Sequence, residues 1–164
     1  MKKIKLTQGK YALVDNENFE YLNQWKWCFH KNPKDAQGYA IRSGYCKETK
    51  KRFRIAMHRV ITQAKPGEIC DHINGNGLDN RIENLRICNK FESSWNKKTF
   101  SNKKLNAIKG VTIVKDRKGI PSYWIARITH KGTRKYLGTF KTKSAAEKAY
   151  KEAAKKYHGG FAKW

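Results

Sequence analysis

Residues 71–96 contain the side chains of this sequence best suited to chemistry, in the order DHINGNGLDNRIENLRICNKFESSWN. The stretch opens with a carboxylate next to an imidazole, Asp71 followed by His72. A carboxylate oxygen can hold a hard divalent cation such as Mg²⁺ or Mn²⁺, and a neutral imidazole can take a proton from water near pH 7. A cation held there stabilises charge on a phosphate and on its leaving oxygen. Such a pair alone means little, but within an ordered frame of strand, loop, strand and helix it is suited to metal-assisted hydrolysis of a phosphodiester bond.

Turn and strand signals predict how this pair is positioned. Two Asn-Gly pairs at 74–77 predict a glycine-rich loop. Apolar residues alternate at 85–88, which predicts a strand, and Asn89 begins a predicted helix. The predicted order is strand, long loop, strand, helix. Because neighbouring strand residues point to opposite faces, Asp71 and His72 can share one pocket only if the first strand ends or twists there.

The ordered set of Asp71-His72, the Asn-Gly pairs, a central Asn84 and a helix resembles the HNH endonuclease motif, in the branch found in phage and intron-encoded homing endonucleases. The resemblance implies a site-specific, metal-dependent DNA endonuclease with an α+β fold, in which a ββα-metal module accompanies N-terminal antiparallel strands. It implies His72 as general base, Asp71 as ligand of one Mg²⁺ or Mn²⁺, and Asn84 as a catalytic residue that holds the loop or orients His72. His58, before the motif, is expected to contact phosphate or to hydrogen-bond the hairpin.

The third motif position departs from the family pattern, because Ser93 stands where the family usually has Asn. A serine hydroxyl is a shorter and poorer oxygen ligand than an amide carbonyl. Three outcomes stay open: Ser93 binds the metal directly or through water, Asn96 or Asn89 substitutes for it, or cleavage is impaired. The last outcome leads to the alternative function, a non-enzymatic, sequence-specific DNA-binding protein with a degenerate motif.

The charge balance indicates a polyanionic partner. The 164-residue chain has 37 Lys and Arg against 13 Asp and Glu, a net charge of +24. Residues 97–164 alone carry 19 basic and 3 acidic side chains. Such an excess favours double-stranded DNA as partner over a protein that is merely basic. An apolar content of 38% is low for one large core and favours small modules.

Other features exclude several classes of protein. An apolar leader segment and long apolar runs are absent from the sequence, which predicts a soluble protein without membrane contact, in the cytoplasm of a bacterial host or phage-infected cell. The cysteines lack CxxC spacing, which argues against zinc and against a disulfide scaffold; they are Cys28, Cys46, Cys70 and Cys88. One active site per chain and no heptad repeat predict a monomer that nicks one strand.

The N-terminal segment, residues 1–56, is predicted to form short strands around one brief helix. Trp25, Trp27 and Phe29 alternate with other residues, which is typical of a half-buried strand. We favour a core role for these aromatics over stacking on DNA. Basic residues of the segment are expected, as a group, to contact phosphates: Lys26, Lys31, Lys34, Arg42, Lys50, Lys51, Arg52 and Arg54.

Composition divides the chain into a nuclease module at 1–98 with its motif at 57–98, a basic linker at 99–108, and a second module at 109–164. Residues around the linker show little apolar pattern. Four lysines there are predicted to lie along DNA phosphates: Lys97, Lys98, Lys103 and Lys104. A solvated tether is the alternative for this segment.

The second module is predicted to contain three strands at 110–115, 123–129 and 134–140, followed by a helix at 143–158. Thr142 is the predicted helix cap. Alanines and tyrosines form the apolar stripe of the helix. The module is therefore predicted to be a three-stranded antiparallel sheet packed on one helix.

This module resembles the plant Apetala/ethylene-response-factor DNA-binding domain. The matching segments are KGV at 109–111, WIARI at 124–128, YLGTF at 136–140 and AAEKAYKEAAKKYHGGFA at 145–162. The resemblance implies that the sheet enters the major groove, which can admit a β-ribbon. The plant domains are richer in arginine on their first strand, so their target sequence is not expected here.

Strand alternation predicts which side chains of the sheet face DNA. Trp124, Ala126 and Ile128 are expected to face the helix. The residues expected to contact DNA are Thr112, Val114, Lys115, Arg117, Ile125, Arg127, Thr129, Arg134 and Tyr136.

Overall fold

The computed structural model describes residues 1–31, 38–96 and 109–164. The chain forms two compact units, Met1–Asn89 and Lys90–Trp164. The division falls inside the predicted nuclease module of residues 1–98 and assigns its last helix to the second unit. The predicted linker at 99–108 lies outside the described residues, as do these predicted phosphate contacts: Lys34, Lys97, Lys98, Lys103 and Lys104.

The first unit is built from small antiparallel sheets and short helices. The strands are β1 (Lys2–Lys5), β2 (Tyr11–Val14), β3 (Cys28–Lys31), β4 (Gly38–Cys46), β5 (Lys51–Ala56), β6 (Ile69–His72) and β7 (Leu85–Cys88). The helices are α1 (Asn16–Asn23) and α2 (Met57–Ile61). β1 pairs with β2, β3 to β5 form one sheet in sequence order, and β6 pairs with β7. The prediction of short strands around a brief helix is confirmed.

The core of this unit lies between the first two sheets and the helices. Its buried residues are Ile4, Leu6, Ala12, Val14, Leu22, Trp27, Ala40 and Met57. Trp27 is only 2% exposed, and its indole nitrogen donates to the carbonyl of Leu22 at 2.8 Å. This satisfies the one polar group of a large buried ring. The core role predicted for Trp27 is confirmed, although the strand begins only at Cys28.

Arg42 stacks on two aromatic rings of this unit, and its predicted contact with phosphate stays a prediction. Its guanidinium lies 4.2 Å from the ring centre of Trp25 and 5.9 Å from that of Trp27. A guanidinium stacked on an aromatic face gains cation–π attraction and covers apolar surface with its stem. The charge pattern of the sequence could not separate this arginine from its exposed neighbours.

The second unit contains a three-stranded sheet and a long helix, as predicted. The elements are α3 (Lys90–Asn96), β8 (Val111–Lys115), β9 (Pro121–His130), β10 (Thr133–Phe140) and α4 (Lys143–His158), and the strand order is β10-β9-β8. The Thr142 hydroxyl accepts from the Ala145 amide at 3.2 Å and caps α4, which satisfies one orphan donor of the first turn. Both units are mixed α+β structures, and this level of the fold prediction is confirmed.

Trp95 holds α3 within the second unit. Its ring stacks on the imidazole of His158 with centroids 4.4 Å apart and planes at 10°, and also lies 5.3 Å from His130. The Lys109 ammonium donates to the Trp95 carbonyl at 3.3 Å, where a cation complements the helix dipole. Burial lowers the pKa of His158, which favours the neutral form of its ring. Within the described residues, no helix is long and apolar enough to span a membrane.

Candidate active site

The two residues expected to carry the chemistry lie at the end of the first strand of the β6–β7 hairpin. β6 ends at His72. A strand end at this position was the condition for Asp71 and His72 to serve one site. In the strand register Asp71 lies opposite Arg86, and His72 lies opposite Leu85. Oδ2 of Asp71 accepts from Nη2 and Nε of Arg86 at 3.0 and 3.2 Å. The carboxylate is therefore held beside a guanidinium, a partner that sequence analysis missed.

The imidazole of His72 has a different partner. It is 5% exposed, and its Nε2 lies 3.2 Å from Oδ1 of Asn80. An amide oxygen accepts a hydrogen bond, so this contact is a hydrogen bond when Nε2 carries the proton and Nδ1 carries the lone pair. In that tautomer Nδ1 is the basic nitrogen.

The N-terminal strand β2 fixes the position of Asn80. The backbone N–H of Asn80 donates to the carbonyl of Leu13 at 2.8 Å. The backbone N–H of Leu13 donates to the carbonyl of Leu78, also at 2.8 Å. Asn80 is fully buried. The pair Asp79-Asn80 is a typical turn cap, but the backbone N–H of Ile82 in the turn that follows donates to the Asp15 carboxylate at 2.7 Å. Asn80 is therefore available to orient His72.

Asn84 closes the loop between the two strands. Its Nδ2 donates to the backbone carbonyl of Asp79 at 2.8 Å, and its Oδ1 accepts from the backbone N–H of Asn74 at 2.9 Å. An ion pair between the Arg81 guanidinium and the Asp79 carboxylate, at 2.8 Å, also stabilises the loop. These contacts agree with the interpretation that Asn84 holds the loop. The described partner of the His72 Nε2 is Asn80, and the alternative, that Asn84 orients His72, stays a prediction.

Two further rings, those of His58 and Tyr39, lie close to the imidazole of His72. The ring of His58 lies 5.0 Å from it at 81°, and the ring of Tyr39 lies 5.8 Å away. Burial lowers the pKa of His72, although the Asn80 contact and the carboxylates of Asp71 and Asp79 act in the opposite direction. Burial also lowers the pKa of His58 to about 4. Both imidazoles are therefore neutral near pH 7, which leaves His72 able to accept a proton.

Asp71 carries the type of oxygen ligand that a hard divalent ion prefers. A carboxylate oxygen suits Mg²⁺ or Mn²⁺, and Mg²⁺ keeps several waters, so that one or two protein oxygens suffice. Among the described residues, no group of three His, Cys, Asp or Glu side chains is close enough to hold a metal together. An ion at Asp71 would share or displace the contact with Arg86.

The remaining predicted ligands lie on both sides of the division between the units. Asn89 ends the first unit, whereas Ser93 and Asn96 lie on α3 of the second. Asn96 is buried, with 7% of its surface exposed. Their roles as metal ligands stay predictions. The described contacts link Asp71 to Arg86 and His72 to Asn80, so the predicted pocket shared by Asp71 and His72 also stays a prediction.

The sequence of this segment is similar to sequences of known nucleases. Residues 56–94 match the family model described as HNH endonuclease. A protein of Acanthamoeba polyphaga mimivirus that is described as an HNH endonuclease is 29% identical over 157 residues, or 94% of this chain and 74% of that protein. These matches support a DNA endonuclease, a hydrolase of phosphodiester bonds, as the enzyme class. No solved structure matches the chain. These matches favour the nuclease over the non-enzymatic alternative, and the family match does not extend to residues 109–164.

The sheet of the second unit presents a separate candidate surface for DNA. On β9, Ala126 and Ile128 are 0% and 2% exposed and face α4, so the predicted division between its two faces is confirmed. Three cross-strand pairs lie on the opposite face: Thr112 with Ile125, Arg127 with Tyr136, and Thr129 with Arg134. Val114, paired with Tyr123, lies on the same face, and Lys115 and Arg117 are exposed at the end of β8. Contact of these residues with DNA stays a prediction.

Proposed function

We propose that this chain is a homing-type HNH endonuclease that cuts one strand of double-stranded DNA at a specific site. The observation that carries the proposal is the environment of His72. Its Nε2 contacts Asn80, and burial lowers its pKa, so the imidazole is neutral near pH 7 and suited to act as a base. The segment that matches the HNH family model contains this residue.

The proposed reaction is hydrolysis of a backbone phosphodiester. Nδ1 of His72 accepts a proton from the attacking water, while Asn80 keeps the opposite nitrogen protonated and the ring in place. Asp71 would hold a divalent ion, Mg²⁺ or Mn²⁺, and the ion supplies charge stabilisation at the phosphate and leaving oxygen when bound. Arg86 keeps the Asp71 carboxylate oriented through its two hydrogen bonds.

Recognition of DNA is proposed to come from the open face of the second unit. Residues 97–164 carry 19 basic and 3 acidic side chains, which favours a polyanion at this half of the chain. Arg127 and Arg134 lie on one face with the exposed ring of Tyr136. Side chains of this type contact base edges and phosphates in a major groove.

A supercoiled plasmid that carries the DNA flanking the gene tests the single-strand activity. We expect open circles to accumulate first in the presence of Mg²⁺ or Mn²⁺, because one active site per chain cuts one strand per visit. Linear plasmid should appear only later, and EDTA should stop both steps. Linear product that forms from the first time points, without open circles, would contradict nicking by a monomer.

Replacing Ser93 by asparagine tests the third motif position. Ser93→Asn is expected to keep or raise the cleavage rate, because an amide carbonyl is the better oxygen ligand for a hard cation. The rate is measured on the same plasmid as a function of Mn²⁺ concentration. Ser94→Asn, one residue further along α3, is the matched control. A clear loss of cleavage in Ser93→Asn alone would show that the serine itself is required.

A further inference from the structure

The two faces of the β3–β4–β5 sheet have different surroundings. In the register, Tyr45 lies opposite Arg52 and Ser43 lies opposite Arg54. Residues directly opposite in an antiparallel pair share a face, and residues two apart on one strand do so too. Tyr39 of the same strand therefore belongs to this face as well. We call these five residues the arginine face.

The other face of this sheet packs against the core. Ala40 is buried at 1% exposure, and the ring of Phe29 packs on the same cluster. Arg42 lies on this face and covers Trp25. Lys31 and Lys51 lie on it too, because the register pairs them with Gly38 and Cys46. The basic residues of the sheet thus divide between two surfaces, which their sequence positions alone did not show.

The arginine face ends at the candidate active site. At its inner end, the ring of Tyr39 lies 5.5 Å from His58 and 5.8 Å from His72. At its outer end Tyr45 is 57% exposed. Within the described residues, neither Arg52 nor Arg54 forms an ion pair. The face therefore presents two available guanidinium groups and an exposed ring in line with the catalytic histidine.

The length of this face suits a nucleic acid duplex. Tyr45 follows Tyr39 by six positions along β4, which corresponds to roughly 20 Å of strand at about 3.3 Å per residue. One DNA strand rises about 3.4 Å per base pair, so the face spans about six base pairs. Arginine and tyrosine are typical contacts of phosphates and sugars.

We propose that the arginine face binds the backbone of duplex DNA on one side of the cleavage position and guides the strand to His72. This inference rests on the proposed endonuclease function and adds a DNA-binding surface inside the nuclease unit. The surface acts through charge and shape. It therefore contributes affinity that is independent of base sequence, whereas the second unit supplies the selection of a site.

The experiment compares two double variants that each remove two positive charges from this sheet. Arg52→Gln/Arg54→Gln alters the arginine face, and Lys31→Gln/Lys51→Gln alters the opposite face. Affinity for a fluorescent duplex of mixed sequence is measured by anisotropy in EDTA, so that no cleavage occurs, at several concentrations of KCl. Arg52→Lys/Arg54→Lys is included because it keeps the charge.

The arginine variant is expected to bind roughly tenfold more weakly and to lower the slope of log affinity against log salt by about two. The lysine-face variant should change both quantities much less, and Arg52→Lys/Arg54→Lys should retain most of the affinity. An equal loss in both glutamine variants, or no loss in the arginine variant, would overturn the proposal. Melting temperatures check that all variants are folded. Plasmid nicking by the unaltered protein is measured separately, so failure of this inference is distinct from failure of the proposed function.

Discussion

Cleavage by the His72→Ala variant is expected to be roughly 10² to 10⁴ times slower than cleavage by the unaltered protein, which is the range contributed by a general base. The alanine removes Nδ1, the proposed acceptor of the proton from water. DNA affinity should change little, because a residue with 5% of its surface exposed offers little contact area to DNA. The measurement is the initial rate of nicking of supercoiled plasmid at saturating protein, with anisotropy in EDTA for affinity.

Loss of a buried histidine can also weaken the fold, so a matched control is needed. His158 is likewise buried, and its Nε2 contacts the Thr129 carbonyl at 2.9 Å. His158→Ala should lower the melting temperature but slow nicking much less than His72→Ala does, because His158 lies outside the segment that matches the nuclease family model. Asn80→Ala keeps the imidazole but removes the group that sets its tautomer, and a smaller loss of rate is expected. Equal nicking by folded His72→Ala and the unaltered protein would end the catalytic assignment.

The architecture of the second unit could be predicted because its signals are local. Thr142 caps α4 through a bond to a residue only three positions away. The alternation of β9 places Ala126 and Ile128 against the helix, and turns at glycine separate the strands. Each of these features depends on side chains that are close in sequence, so that propensity and periodicity suffice to locate them.

The environment of His72 could not be predicted because it depends on long-range contacts. Asn80 reaches the imidazole only because its backbone pairs with Leu13 of the N-terminal strand. Asp15, which follows the same strand, accepts the hydrogen bond from the backbone N–H of Ile82, a bond that a side chain of the loop itself could have made. The pair Asp79-Asn80 is a normal turn signal, and nothing in its spacing distinguishes a cap from a partner for histidine.

Two further contacts involve residues that are recognisable in the sequence but whose partners are not. Arg86 lies opposite Asp71, which follows from the register of the hairpin once the loop length is known. A one-residue change in register would place a different side chain beside the carboxylate. Trp95 follows the helical motif residues, and its stack on His158 links the end of the motif to residues far along the chain. Both contacts can be located only once the positions of the paired elements in the folded structure are known.

The open face of the second unit should determine which DNA sequence is selected. Replacing Arg127 and Arg134 by alanine is expected to weaken binding to the preferred site by roughly 100-fold, since each good arginine contact to a base contributes about 1–3 kcal/mol of discrimination. Both side chains lie on the face away from α4. The preferred site is first obtained by selection from a pool of random duplexes with the unaltered protein, and affinities for that site and for a scrambled duplex are then compared.

The matched control removes two charges from other faces of the same unit. Lys135 lies opposite Ile128, on the helix side of the sheet, and Lys148 is exposed on α4. Lys135→Gln/Lys148→Gln should weaken binding to both duplexes to a similar small degree, because it alters only the general charge. Arg127→Ala/Arg134→Ala should instead bring the affinity for the selected site close to that for the scrambled duplex. If the arginine variant still discriminated as strongly as the unaltered protein, recognition would have to come from another surface. The sheet would then contribute charge alone, because sequence is distinguished through contacts with base edges or through DNA shape, and phosphate contacts carry no such information.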